Sequence, residues 1–385
     1  MGRRPVQNVP NNVAGWPPET NADGTFKVNA LGSLITPREN LRSIVCAPTA
    51  EQILAAERAV AGVTNPWVLA RARRGFGRKL IGADMDQVEL RILAFLSKDP
   101  FLLGIFNEGR DPHSEFSNYI FPDHFPKLVE EIKAAGFKPK GSDAVEDEIV
   151  QLAGRDDDIG RARAEKLRVV LKAQKQWKRL RDFTKRVEYG GAYRGKPVTI
   201  WTALVKDMPE VELTNVEHGI NVFYEKAARV PRWHNDQETR ARLYRESREA
   251  LLGRVRLFPL GNFSPTIVVN FPIQAYGASL ITLAIFRFTA LTHPELLEFD
   301  RLYRHGLLSA KWVKEMKAKG FGVWKAPVEL VSNGHDSLLV EADEEDAGRV
   351  AELLATAMAQ TVEDKDGTKM AYTADAKVSQ RWSRT

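Results

Sequence analysis

Residues 161–186 carry eleven Lys or Arg against only Glu165 and Asp182, and neither Gly nor Pro interrupts the run before Gly190. Proline and glycine cost most in a helix interior, so a stretch this long without either favours one long α-helix. The run predicts a basic helix from Arg161 to about Tyr193, ended by glycines at 190, 191 and 195. Everything else in the chain must pack around that rod. Arg181 and Lys185 stand four apart and share a face, which Tyr189 and Tyr193 continue. Two cations and two aromatics in register could hold a triphosphate at one end and stack on a base at the other. The plainer reading is a solvated charged helix. The aromatic continuation and the glycines weigh against it.

The 385 residues suffice for two or three domain-sized units, and 43% hydrophobic residues are ample for a core. Fifty-six Lys+Arg against fifty Asp+Glu leave +6, which permits a polyanionic partner without requiring one. A single cysteine, Cys46, excludes an intramolecular disulfide framework and a Cys-based zinc or iron–sulfur site. The longest apolar stretch, Ala278 to Thr292, is broken by Arg287, and the N-terminus lacks a signal-peptide run. A soluble, reduced, cytoplasmic protein with no membrane partner is expected.

The first thirty-odd residues, rich in Pro, Asn and Gly, predict an extended strap, and 49–62 a helix. A short strand is expected at Lys79–Ala83, running into helical spacing over DMDQVELRILAFLSKD. Residues 122–160 are polar and predict an inserted loop-and-helix segment. Beyond the basic helix, the pattern predicts a helix at 217–230, a hairpin over 253–270 and a helix from Gln274 to about Leu291. Strands at Val328–Asn333 and Ser337–Glu341 and a helix over Glu344–Gln360 complete the reading.

Asp84 ends an apolar strand, a place for either a functional carboxylate or a helix cap, with Asp86 the better cap. Asp336 lies in GHDS (334–337) at the tip of an expected hairpin, where a turn-forming Asp is the plainer reading. Two aspartates at strand ends could converge to bind two Mg²⁺, since hard cations prefer carboxylate oxygen.

Four segments, in order, resemble the polymerase module of family A DNA polymerases. DMDQVELR (84–91) resembles the first motif, Asp-x-Ser-Gln-Ile-Glu-Leu-Arg, and RDFTKRVEYGGAY (181–193) the second, Arg-x3-Lys-x3-Phe/Tyr-Gly-x2-Tyr. NFPIQAYGASL (270–280) resembles the Asn-x-Pro-x-Gln segment, and GHDS the third motif, His-Asp-Glu. PVQNVP (5–10), EGRDPH (108–113) and KVSQRW (377–382) are weaker echoes.

The resemblance implies an α/β (α+β) right-hand polymerase with a small antiparallel palm sheet and helical fingers. It places a strap and the first part of the palm in 1–96, fingers in 97–250 with an insert near 122–160, and the rest of the palm in 251–385. It makes Asp84 and Asp336 the metal-binding aspartates for two Mg²⁺ ions. Glu89 becomes the gate against a ribose 2′-hydroxyl, held by Tyr193. Arg181 and Lys185 grip the incoming triphosphate, Lys185 taking part in catalysis, with His113 as a helper and Tyr189 packed on sugar and base. Gln274, Asn270 and Arg254 read the minor-groove side of the nascent pair, and His335 lies near the primer terminus. The implied reaction joins a dNTP to a primer on template DNA.

Three positions depart from the pattern: Asp86 for Ser, Arg194 for a Gly, and Ser337 for the Glu of the third motif. His-Asp-Ser is also what single-subunit phage RNA polymerases carry, so an RNA polymerase is the alternative. Glu89 and the Asn-x-Pro-x-Gln segment argue against it. A catalytically inactive DNA-binding subunit is a further alternative, which the retained Asp84, Asp336, Arg181 and Lys185 oppose. GRRPVQNVP resembles a segment that in family A enzymes follows a helical thumb, so the module resembled is a phage-like one lacking the usual N-terminal thumb and exonuclease regions. A split enzyme is therefore expected, with a second polypeptide supplying the thumb, with or without an exonuclease.

Overall fold

The computed structural model describes residues 78–140, 143–153, 158–258, 263–325 and 327–379. The expected strap, the helix at 49–62, Cys46 and the PVQNVP echo lie outside them. The described residues form two compact units: residues from 78–88, 277–362 and 371–379 make the first, and residues from 89–276 and 363–370 the second. Two of the divisions fall within α1 (Val88–Ser97) and α10 (Pro265–Thr292).

The first unit is built on an antiparallel four-stranded sheet. Its strands β1 (Arg78–Met85), β4 (Glu329–Asn333), β5 (Ser337–Asp343) and β8 (Ala374–Ser379) lie in the order β4-β5-β1-β8. β6 (Gln360–Glu363) and β7 (Lys369–Tyr372) precede β8 in the chain. The central strand β5 reads SLLVEAD, a nearly continuous apolar run, and all but its two end residues are buried. Its one internal charge, Glu341, is matched by buried Arg78, whose Nε donates to Glu341 at 2.9 Å and Nη1 to Asp343 at 3.0 Å. Against the sheet packs α13 (Ala347–Met358), its Val350, Leu353, Leu354, Ala357 and Met358 recurring at helical spacing and fully buried. Arg287, which breaks the apolar run of α10, donates to the carbonyls of Ala357 and Ala359 at the end of α13. Its cation thus meets the negative end of a helix. The small helices α11 (Phe299–Arg304) and α12 (Ala310–Ala318) complete this unit.

The second unit is helical: α2 (Pro100–Asn107), α3 (Pro112–Ile120), α4 (Phe125–Ala134), α5 (Asp143–Ala153), α6 (Asp158–Ala192), α7 (Pro197–Leu204), α8 (Leu213–Lys226) and α9 (Arg229–Tyr244). The basic run is α6, 35 residues long and so about 52 Å from end to end. It passes through two cores. Its first half joins α4 and α5 through Leu167, Val170, Ala173 and Trp177, packed on Phe125, Leu128, Ile132 and Val145. The polar insert is thus a small three-helix body. Its acids meet the basic helix, Glu148 with Arg163 and Glu146 with Lys175. The second half places Phe183 and Val187 against Ile120, Leu204, Val216 and Ile220.

Two expectations are corrected here. The hairpin joins β2 (Glu246–Arg248) to β3 (Val255–Leu257), so its turn precedes Val255, and residues 265–270 are helical. The β-branched run TIVVN mimics a strand, but burial of Val268 and Val269 on a helix that opens at Pro265 decides for α10. The helix expected at 217–230 is two, α8 and α9, divided at 227–228. Pro272 sits inside α10 and removes a donor to the carbonyl of Val268. The Ser247 hydroxyl reaches that carbonyl at 3.4 Å.

Candidate functional site

In the first unit the two aspartates are brought together by the sheet. Asp84 is the penultimate residue of β1 and registers with Ser337, the first residue of β5. The Met85 N–H donates to the Asp336 carbonyl at 2.9 Å, so the aspartates sit one step apart on neighbouring strands. Both are half-buried, and His335 beside them is exposed. The turn that presents Asp336 is closed by Gly334 N–H to Ser337 O at 2.6 Å. Asp86, expected as a cap, ties to the residue before β8: its carboxylate accepts the Thr373 hydroxyl at 2.9 Å. On its other side Asp84 registers with Asp375 of β8, a carboxylate that the sequence reading missed. The alternation ADAKVS would have placed it on a strand, but only the register sets it in the row Asp375–Asp84–Ser337.

The donor set suits a hard cation that keeps water or phosphate oxygens among its ligands. Both side chains offer oxygen only. Among the described residues no group of three or more His, Cys, Asp or Glu side chains is gathered closely enough to hold an ion. Magnesium is commonly bound by one or two carboxylates with substrate phosphates completing its shell.

The second unit holds the basic and aromatic face. Arg181, Lys185 and Tyr189 lie on the last turns of α6, and the N–H of Tyr193 still donates to Tyr189 O at 3.1 Å. Lys185 Nζ lies 5.9 Å from the Tyr189 ring centroid, and Arg181 lies the same distance from Trp177. The loop-helix start GRDPH supplies the partners. Asp111 caps α3, accepting from the Ser114 N–H at 3.0 Å, and grips Arg181 through Nε and Nη2, both at 2.8 Å. Burial alone would raise the Asp111 carboxyl, but the hydrogen bonds and charge of Arg181 outweigh it and hold that carboxyl well below the usual range. His113 is buried against Glu188, its Nδ1 on the carboxylate, with its ring centroid 6.0 Å from that of Tyr189. Burial pushes Glu188 up, and His113 opposes the rise. Glu188 is a second residue absent from the sequence reading, hidden because one acid in a basic helix looks incidental.

Glu89, in the first turn of α1, joins Tyr193 and Gln274. The Gln274 amide nitrogen lies 2.5 Å from Glu89 Oε1 and 2.7 Å from the Tyr193 hydroxyl. Burial, then the Glu89 charge, raises the Tyr193 phenol, so it remains protonated. Asn270 lies one turn before Gln274 on α10. Arg254 is exposed in the turn before β3, a turn held by the buried Glu249 carboxylate, which accepts from Leu252 and Arg254 N–H groups. Arg194, the departure after the second motif, takes a left-handed conformation (φ 55°) that glycine would take freely, and pairs with Glu238.

No family profile matches the chain. A 55-residue stretch, 13% of the chain, is 46% identical to thermostable DNA polymerase I of Thermus aquaticus, of which it spans 7%. The Thermus thermophilus enzyme is 44% identical over a stretch of the same length. The solved POL domain of Pol1 from M. smegmatis, in complex with DNA primer-template and dNTP, superposes with a TM-score of 0.50 at 19% identity. That likeness covers 94% of this chain and 49% of the other, and it shows that the fold is that of a polymerase domain. The chain resembles a family A polymerase module in both fold and local sequence.

Proposed function

We propose that the chain is a template-directed DNA polymerase that adds dNTPs to a primer 3′-hydroxyl. The observation that carries the reading is the pairing of Asp84 and Asp336, distant in sequence, at adjacent strand ends through Met85 N–H and Asp336 O. In the reaction the primer oxygen bonds to the α-phosphorus while the bond to the pyrophosphate oxygen breaks. Asp84 and Asp336 would hold two Mg²⁺ ions, which would supply neutralisation of the charge between the reacting oxygens and the phosphate. Arg181 and Lys185 bind the triphosphate, Lys185 meeting charge that develops on the leaving pyrophosphate. Asp111 keeps Arg181 aligned, and Tyr189 packs on the sugar and base. Gln274, Asn270, Arg254 and His335 contact the primer–template. The enzyme works in the cytoplasm, the host's where the source is viral.

Primer extension with dNTPs, then with rNTPs, tests the reading. Templated dNTP addition supports it, and no incorporation points to an inactive DNA-binding subunit. One observation favours a second reading: Ser337 gives the His-Asp-Ser of single-subunit RNA polymerases, and a preference for rNTPs would select that reading.

A further inference from the structure

Glu89, Tyr193 and Gln274 come from three different helices or helix ends and close a triangle of polar contacts. Hydrogen counting fixes the direction of each bond. A carboxylate only accepts, so the Gln274 atom facing Glu89 at 2.5 Å must be its amide nitrogen. The second amide hydrogen goes to the Tyr193 hydroxyl at 2.7 Å, and that hydroxyl donates its own hydrogen to Glu89. Glu89 therefore receives two bonds, one of them from Gln274. All three side chains are half-buried, where one fixed rotamer of a flexible glutamate would not persist without such partners.

We propose that Gln274 is a specificity-determining positioning residue for sugar selection: its carboxamide holds the Glu89 carboxylate where that carboxylate excludes a ribose 2′-hydroxyl. The proposal rests on the polymerase reading and adds to it a residue that the resemblance implied only as a reader of DNA. With both amide hydrogens committed, donation to a minor-groove acceptor requires Gln274 to release either the gate or its tyrosine.

The test compares the dNTP-to-rNTP ratio of kcat/KM for wild type, Gln274→Met, Glu89→Ala and the double variant. Methionine keeps the length and volume of glutamine but has no donor. Gln274→Met is expected to lower the ratio about tenfold, chiefly through faster rNTP use, and the double variant to fall no further than Glu89→Ala. A purely structural tie would slow both sugars alike and leave the ratio in place. An unchanged ratio in Gln274→Met beside a collapsed one in Glu89→Ala overturns the proposal while the polymerase reading stands. An unchanged ratio in both overturns the gate and the proposal together. If the wild-type chain incorporates neither sugar, the polymerase reading falls. Equilibrium binding of dATP against ATP to the same four proteins then decides the proposal by the same ratio.

Discussion

Asp111 shows how one carboxylate can serve structure and site together. It caps α3 and clamps Arg181 with two 2.8 Å bonds. Asn can still cap a helix but cannot return the charge, so Asp111→Asn isolates the clamp. The folded pKa is depressed, so the stabilisation is present above the unfolded value near 4 and is lost as pH falls through the folded one. Asp111→Asn should therefore be less stable than wild type by about 1–2 kcal/mol at pH 7. The gap should narrow as pH falls below about 4 and close only as pH passes through the depressed folded value, as read by urea denaturation across that range. At the carboxylate pair the expectation is catalytic. Asp84→Ala or Asp336→Ala should cost at least about 10³-fold in dNTP incorporation with an unchanged melting temperature. Ser337→Ala should cost less than about fivefold, because a hydroxyl is a poor substitute for a metal-binding carboxylate. Activity within a few-fold of wild type in either aspartate variant would remove the metal assignment.

The end of α6 is decided by groups from other elements. Arg194 N–H reaches Gly191 O at 3.0 Å and Gly195 N–H reaches Gly190 O at 2.7 Å, which closes the helix with a left-handed residue. Arg194→Gly and Arg194→Ala both lose the Glu238 pair, but only the glycine relieves the backbone strain. In thermal melts the Gly variant should be the more stable of the two by about 1 kcal/mol. The carbonyl of Ala192, last in the helix, accepts from buried His234 Nε2 at 2.9 Å. Burial lowers His234 to about 4, the Ala192 bond only partly offsetting it. The unfolded chain therefore binds a proton that the folded chain refuses between about pH 6.5 and 4. Stability should fall on acidification through that window by on the order of 2 kcal/mol. His234→Gln, which can still donate to Ala192 but does not titrate, should lack that component, as pH-dependent denaturation would show.

For the molecule as a whole, the sheet of the first unit depends on strands from opposite ends of the chain. β1 pairs on one side with β5 and on the other with β8. Deleting residues 374–385 strips β8 from β1 and uncovers the buried side of α13. The cooperative melt of that unit, followed by circular dichroism, should then be lost or fall by about 10 °C or more. A melt unchanged by the deletion would show that β8 contributes nothing to the core. α10 is long and apolar enough to cross a membrane by length and composition, yet 67% of its apolar window is buried within the structure, as befits a core helix.

Periodicity in the sequence was enough for the basic helix, β1 and α13, which bury recurring positions, while β4 and β5 were legible as short apolar runs on either side of a turn. It also set Arg181, Lys185 and Tyr189 on one face, since helical spacing alone does that. The start of α10 was not legible, because TIVVN satisfies strand and helix periods equally over so few residues. The partners of the candidate site residues were not legible either. Asp111 on Arg181, Glu188 on His113, Gln274 on Glu89 and Asp375 beside Asp84 are contacts between segments distant in sequence. Such contacts arise from register and helix packing, and local spacing carries no record of which polar group another segment will place opposite. The residue types and their order were therefore in the sequence, and tertiary structure decided what each one touches.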